Sequence, residues 1–401
     1  MSHFVDELAI ENNTKIVFLV LDGLGGLPVK GKEGTELQVA RTPNLDSLAA
    51  ESVCGLMDPI LPGVTPGSGP AHFALFGYDP VEANIGRGVL EAAGINVPLT
   101  DRDVAIRINF ATRDAQGNIT DRRAGRIATE INRRVCEKIR RNVSLKPDAE
   151  IILETVKEHR AALLIRGDDL GGDIDDTDPQ KLGVPPLEPV ANTPGSEKTV
   201  ALVKKFLDQA HKAIADEPNA NTVLLRGFAK HKPYRSMYER YKLKSLAIAN
   251  YPMYRGVAFL LNMDLHPVTT DTASEFQAVK EKYDEYDYFF VHVKATDARG
   301  EDGDFDAKVK VIEEVDAILP ALTGLNPDVM VVTADHSTPA AMSGHSWHPV
   351  PVLLRSDICR PDLVTRFDEI SCIQGGLSRM PSMQLMPIIL ANANRLQKFG
   401  A

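Results

Sequence analysis

The sequence predicts an α/β protein in which both chain ends build one doubly wound sheet domain, with an α+β domain inserted between them. Three observations carry that expectation. Short apolar runs at 15–21, 288–293 and 328–334 have the length and composition of buried parallel strands. Helical periodicity alternates with such runs toward both ends of the chain, the pattern of a doubly wound sheet. The middle of the chain instead carries paired short strands. The expected boundaries are 1–84 and 246–401 for the sheet domain and 85–245 for the insert.

Each element has a local reason. Residues 15–22 read as a buried strand. In 42–50, Thr42 is placed to cap a helix, Pro43 suits its first turn, and Leu45, Leu48 and Ala49 share a face. Residues 61–72 are dense in Gly and Pro and read as a shaped loop, with a helix from 71 to 76. In the insert, 104–112 alternates like a strand and turns at Gln116-Gly117-Asn118. Residues 125–140 read as a helix, and 150–156 and 160–166 as a hairpin. Residues 197–215 form an amphipathic helix with Val200, Val203, Leu207, Ala210 and Ile214 on one face. Helices at 254–262 and 306–322 and strands at 287–293, 328–334 and 350–354 follow.

Composition narrows the function. The 401 residues carry a net charge of -10, which argues against non-specific nucleic-acid binding. The longest apolar runs are strand-length, so no membrane span is expected. The first residues lack a basic segment followed by an apolar one, so no signal peptide is expected. Four scattered cysteines, Cys54, Cys136, Cys359 and Cys372, fit reduced thiols and a cytoplasmic location.

Chemistry concentrates at strand ends. The three runs lead to Asp22, Asp297 and Asp335-His336, so three carboxylates and an imidazole converge on one sheet edge, where open α/β sheets place ligands. His345 follows in a polar loop, and Glu301 stands four residues after Asp297. Mixed Asp/His donors suit Mn²⁺, Zn²⁺ or Fe, and all-oxygen sets suit Mg²⁺ or Ca²⁺. Ser68, in Pro66-Gly-Ser-Gly-Pro70, has small neighbours that leave its hydroxyl uncovered, with Thr65 as local competitor. A serine needs a base or a metal to become a nucleophile. The insert holds Arg113, Arg122, Arg123, Arg126, Arg160, Arg166 and Arg226, a set suited to a small, multiply anionic substrate. The acidic run 167–179 reads as a solvated connection.

The ordered set Asp22-Gly23, Thr42-Pro-Asn-Leu-Asp46, Ser68, Asp297, Asp335-His336, His345 resembles the alkaline phosphatase superfamily of metalloenzymes. Pro66-Gly-Ser-Gly-Pro-Ala-His72, Phe76-Gly-Tyr-Asp-Pro80, Gly86-Arg-Gly-Val-Leu-Glu-Ala92, Asp121-Arg-Arg-Ala-Gly-Arg126 and Thr333-Ala-Asp-His-Ser-Thr338 narrow the resemblance to archaeal-type 2,3-bisphosphoglycerate-independent phosphoglycerate mutases. That resemblance implies an alkaline-phosphatase-like domain with an inserted substrate domain and two divalent metal ions, Mn²⁺ first, with Mg²⁺, Co²⁺ or Zn²⁺ as alternatives. Asp22, Ser68, Asp335 and His336 would hold one ion; Asp297, His345 and one further ligand would hold the other. Glu301 stands where the family pattern has histidine, which gives that site a harder character. Ser68 would carry the phosphoryl group between 3- and 2-phosphoglycerate, with Arg123, Arg126, Arg160, Arg226 and Arg255 holding the glycerate and domain closure excluding water. The rival readings are a phosphomonoester or phosphonate hydrolase and a catalytically silent metal-binding homologue. Oligomeric state stays open.

Overall fold

The computed structural model describes residues 2–83 and 85–400; the expected domain limits at 1, 84 and 401 lie outside the described residues. The chain forms two compact units, Met1–Asn84 with Arg235–Ala401, and Ile85–Tyr234. The strands are β1 (Ile16–Leu21), β2 (Val53–Asp58), β3 (Asp103–Arg113), β4 (Ile119–Asp121), β5 (Glu150–Lys157), β6 (Arg160–Arg166), β7 (Thr222–Lys230), β8 (Ser245–Ala249), β9 (Asp264–Leu265), β10 (Tyr288–Val293), β11 (Val329–Thr333), β12 (Val350–Ser356) and β13 (Ser378–Pro381).

The first unit holds an eight-stranded sheet of order β13-β2-β12-β11-β1-β10-β8-β9. From β9 to β11 all neighbours are parallel, with Leu21 opposite Val293 and Val20 opposite Thr333. Every residue of β1, β10 and β11 is buried, which is why these strands read as continuous apolar runs. Beyond β11 the sheet is mixed: β12 runs antiparallel to both β11 and β2. The strand steps β8 to β10 and β10 to β11 move one way along the sheet, and β8 to β9 moves the other. Right-handed crossovers then put the helices Thr272–Lys282 and Phe305–Ile318 on one face and Pro252–Leu260 on the other. In keeping with this, Pro252–Leu260 packs with the helix Ser68–Leu75, and Phe305–Ile318 packs with Pro43–Ala50. The doubly wound character therefore holds for the parallel block and gives way to a mixed edge.

The second unit is antiparallel, with β5-β6-β3-β7 side by side and β4 pairing the far end of β3. Side chains alternate along β3. Val104, Ile106, Ile108 and Phe110 enter a core with Val135, Ile139, Val203 and Phe206 from the helices Thr129–Asn142 and Glu197–Ala213. Ala105, Arg107 and Asn109 face the other way, where the helix Arg87–Gly94 packs.

Several expectations shift. The chain rejoins the first unit at Arg235 rather than 246, because the helix Met237–Tyr241 is tied there. Arg240 Nη1 donates to Gly77 O (2.9 Å), Tyr241 to Phe76 O (3.1 Å), and Tyr78 to Arg235 O (2.8 Å). The helix expected from 71 begins at Ser68, so Ser68 opens a helix rather than lying in the loop before it. Thr42 makes no side-chain cap. The helix expected over 306–322 ends at Ile318, and a separate turn starts at Pro320, whose nitrogen cannot continue the ladder. The acidic run is not wholly solvated: Asp178 is buried and pairs with Arg122 through two bonds of 2.8 Å.

Candidate active site

Because β10, β1 and β11 are adjacent and parallel, the residues after them share one edge. Asp22 follows β1, Lys294 follows β10, and Asp335-His336 lie just past β11. The short helix Ala295–Glu301 starts beside this edge and carries Asp297 and Glu301 four apart, on one face. Asp22, Asp297, Asp335 and His336 are fully or almost fully buried, and Ser68 is nearly so.

Two donor groups form. Asp22, Asp335 and His336 make one; Asp297, His336 and His345 make the other, each with donor atoms within 4.8 Å of one another. His336 belongs to both. Its Nε2 lies 3.1 Å from Asp335 Oδ2, 3.4 Å from Asp22 Oδ1 and 3.2 Å from Ser68 Oγ. His345 Nε2 lies 3.7 Å from Asp297 Oδ1 and 3.9 Å from Glu301 Oε1, and its ring stacks on His336 with centroids 3.7 Å apart. His345 Nδ1 is 3.0 Å from Pro66 O. A carbonyl only accepts, so Nδ1 donates to Pro66 O, and Nε2 is the nitrogen turned toward the carboxylates.

The donor set fits a divalent cation. Both Asp22 oxygens and Asp335 Oδ2 are buried and accept no hydrogen bond. Buried carboxylates need positive partners; Lys294 supplies one at Asp22 Oδ2 (3.1 Å), and a divalent cation would supply the rest. Burial raises the Asp335 pKa, but the imidazoles of His336 and His72 outweigh it and hold the carboxyl well below the usual range. Burial likewise opposes charge on His336, yet Asp335, then Asp22 and Asp297, push its pKa up to about 9.

Residues not singled out from the sequence surround these donors. Lys294 Nζ is 3.1 Å from Asp22 Oδ2, contacts Asp297 Oδ2, and donates to Tyr254 Oη at 3.2 Å. Its position three residues before Asp297 was the available signal. His72 and His292 lie behind the carboxylates. His72 Nδ1 is 3.4 Å from Asp335 Oδ2, and His292 Nε2 is 3.4 Å from Asp22 Oδ2. Burial pushes the His72 pKa down to about 4.

The arginines divide. In the second unit Arg160 Nη1 is 3.5 Å from Glu91 Oε1, and Arg226 reaches Asp178 at 3.3 Å and Asp176 at 3.5 Å. Asn132 Nδ2 holds the Arg160 backbone by donating to its carbonyl at 2.9 Å. Arg107 stands among them. Burial first, then Arg160, Arg226 and Arg87, push its pKa down against the pull of Glu91. Arg107 and Arg87 were not among the sequence candidates, although a charged residue inside the alternating run 104–112 marks the strand's second face. Arg123 and Arg126 are exposed. Arg166 is fully engaged by Asp103 at 2.7 and 2.8 Å. Arg255 belongs to the first unit, where its Nη1 donates to Ala249 O (3.1 Å) and His266 O (2.7 Å).

The fold and the site define an α/β protein with a carboxylate–imidazole centre at its parallel sheet edge and a helix-borne serine against it. A sequence profile described as 2,3-bisphosphoglycerate-independent phosphoglycerate mutase matches residues 49–220. A Thermus thermophilus protein named "probable 2,3-bisphosphoglycerate-independent phosphoglycerate mutase" is 47% identical over 398 residues, covering 98% of each chain. A Thermotoga maritima protein of the same name is 47% identical over 398 residues, covering 99% of this chain and 98% of its own. The solved cofactor-independent phosphoglycerate mutase of Thermoplasma acidophilum is 29% identical with a TM-score of 0.72, covering 94% of this chain and all of that one. A solved Pyrococcus horikoshii structure, also 29% identical, gives 0.84 over 98% of this chain and all of that one. The chain belongs to the 2,3-bisphosphoglycerate-independent phosphoglycerate mutase family.

Proposed function

We propose that this protein interconverts 3-phosphoglycerate and 2-phosphoglycerate through a phosphorylated Ser68. The observation that carries the reading is the position of Ser68 Oγ, 3.2 Å from Nε2 of His336, the one residue shared by both donor groups. Asp22, Ser68, Asp335 and His336 would hold one divalent cation, and Asp297, Glu301 and His345 the other, with Mn²⁺ favoured by the mixed carboxylate–imidazole set. Bound there, the ions supply Lewis acidity, polarising the phosphoryl oxygens and lowering the serine pKa.

Ser68 Oγ attacks phosphorus, its own proton leaves, and the bond from phosphorus to the 3-oxygen breaks. The departing 3-oxygen takes up a proton, and glycerate is retained. Its 2-hydroxyl then loses a proton and attacks the phosphoserine, the bond from phosphorus to Oγ breaks, and Oγ takes up a proton to restore the serine hydroxyl. Atoms and charge balance over the two steps, and no water is consumed. Splitting one transfer into two is the gain from a covalent intermediate. Arg123, Arg126, Arg160, Arg226 and Arg255 are the proposed anion-binding residues. Guanidinium groups suit both the phosphate and the carboxylate of this substrate. The reaction class, an intramolecular phosphoryl transfer, distinguishes this protein from a hydrolase by the fate of phosphate.

Phosphorus NMR of protein incubated with 3-phosphoglycerate and Mn²⁺, quenched and chelated before recording, tests the reading. Expected is 2-phosphoglycerate without free phosphate, and loss of all conversion, by at least about a thousandfold, in Ser68→Ala and after chelation. Release of inorganic phosphate instead would make the protein a hydrolase.

A further inference from the structure

Lys308 is fully buried at the fourth position of the helix Phe305–Ile318. Two general preferences oppose that placement: lysine is almost never fully buried without partners, and the start of a helix disfavours a cation. Its partners explain it. Nζ donates to Gly23 O (2.9 Å), Gly25 O (3.0 Å) and Thr338 O (2.8 Å). An ammonium has three N–H groups, and here each has a carbonyl. Gly23 directly follows Asp22, and Thr338 stands two residues after His336. We infer that Lys308 is a positioning residue: it ties the loop that carries Asp22 to the loop that carries Asp335 and His336, and so sets the spacing of that donor group.

The sheet alone does not set that spacing. The ladder between β1 and β11 ends at Val20 and Thr333, short of both Asp22 and Asp335. Beyond it, other contacts join the loops. The Thr338 N–H donates to Gly23 O (3.2 Å) and Gly25 O (3.1 Å), the same carbonyls that Lys308 holds. Glu36, also fully buried, spans the two loops a little further along: its Oε1 accepts from Ala340 N (2.7 Å) and its Oε2 from Leu27 N (3.2 Å). Glu36 Oε1 lies 3.9 Å from Lys308 Nζ, so the cation and its counter-charge each touch both loops. Burial pulls the Lys308 pKa down, and Glu36, then Glu369, pull against it.

The loops approach as closely as their backbones allow. A Cβ on Gly25 would lie 2.0 Å from Ser337 Oγ, and one on Gly26 would lie 1.8 Å from Glu36 Oε2. Lys308 closes that arrangement from the helix side. Ligand atoms work only when held to within roughly 0.5 Å of the productive geometry. Loss of Nζ takes a shared donor from three buried carbonyls beside the Asp22, Asp335 and His336 group. A lysine that merely satisfied carbonyls would cost stability and leave cation affinity alone. A positioning lysine changes affinity beyond what the lost stability accounts for.

The consequence for cations rests on the metal-centre reading; the link between the loops does not. The experiment is calorimetric Mn²⁺ titration and metal-free hydrogen exchange of the full chain in wild type, Lys308→Met and Val315→Ala. Val315 is buried in the same helix about two turns further on, so its variant loses stability away from the loops. Lys308→Met should bind Mn²⁺ roughly 10–100-fold more weakly and exchange faster at the amides of 23–27 and 336–340. Val315→Ala should keep Mn²⁺ affinity within about threefold and leave those amides near the wild-type rate. Wild-type affinity and loop exchange in Lys308→Met overturn the inference, as does an equal loss of affinity in Val315→Ala. If Lys308→Met fails to fold, a crystal structure of Mn²⁺-loaded wild type decides: Nζ beyond about 3.5 Å from the Gly23 and Thr338 carbonyls overturns the inference, and retained bonds support it. If wild type binds no Mn²⁺, the metal-centre reading fails while loop exchange in the metal-free proteins still decides the role of Lys308.

Discussion

Glu301 stands where the resemblance read from the sequence expects a histidine, and its environment sets what a carboxylate there would do. It is the most exposed of the proposed ligands, with 54% of its side chain accessible, and its nearest partner is His345 at 3.9 Å. A carboxylate here adds a hard oxygen and a negative charge to a group that otherwise has one of each from Asp297. The expected result is a preference for Mn²⁺ or Mg²⁺ over Zn²⁺. In Glu301→His that preference should move toward Zn²⁺ and Co²⁺, and in Glu301→Ala the Mn²⁺ affinity should fall by about tenfold. Competitive calorimetric titrations read both. Equal Mn²⁺ affinity in wild type and Glu301→Ala would remove Glu301 from the ligand set.

At the scale of elements, the arginine cluster depends on how closely one helix approaches one sheet. The helix Arg87–Gly94 lies against the face of β3 that bears Arg107 and Asn109, and it carries Glu91, the partner of Arg160. Gly88 permits that approach: a Cβ there would lie 2.3 Å from Ala105 O, a backbone atom that cannot swing aside. Gly88→Ala should therefore push the helix outward and cost about 2 kcal/mol or more. Urea denaturation measures the cost. The Glu91–Arg160 contact should loosen with it, so the Michaelis constant for phosphoglycerate should rise more than stability alone explains. Unchanged stability would mean that the helix has room to adjust.

Over whole units, acid should act unevenly. In residues 85–234, burial pushes the pKa values of His159 and His211 down to about 4; Arg160, Arg107 and Arg123 add to the effect at His159, and Arg113 at His211. A histidine whose folded pKa lies below its unfolded value near 6.5 stabilises the fold above that value. The contribution is lost as pH falls from about 6.5 through 4, because the unfolded chain takes up protons first. Hydrogen exchange of β3 and β7 amides should thus accelerate between pH 6.5 and 4 beyond the intrinsic change. A His159→Gln, His211→Gln double variant should show less of that acceleration. An identical pH profile in the two proteins would remove these histidines as the cause.

How much was legible follows from range. Asp22, Asp297 and Asp335-His336 could be read because each ends or follows an apolar run, and a run long enough to be a buried strand states where its end must lie. Ser68 could be read from its loop composition, but that it opens the helix Ser68–Leu75 could not, since Gly69 and Pro70 suit both a loop and a first turn. The short strands β2, β8 and β13 escaped because four to six residues carry too little periodicity, and their identity comes from their neighbours in the sheet. Lys294 and Arg107 escaped for a related reason: a lysine and an arginine have no local signature of what they touch. The sequence by itself determined the central strands β1, β10 and β11, their carboxyl edge and the donor types beside it, because burial and strand length are encoded residue by residue. Only the tertiary structure decided which donors meet and which arginines face one another, because those depend on contacts between segments that lie tens to hundreds of residues apart.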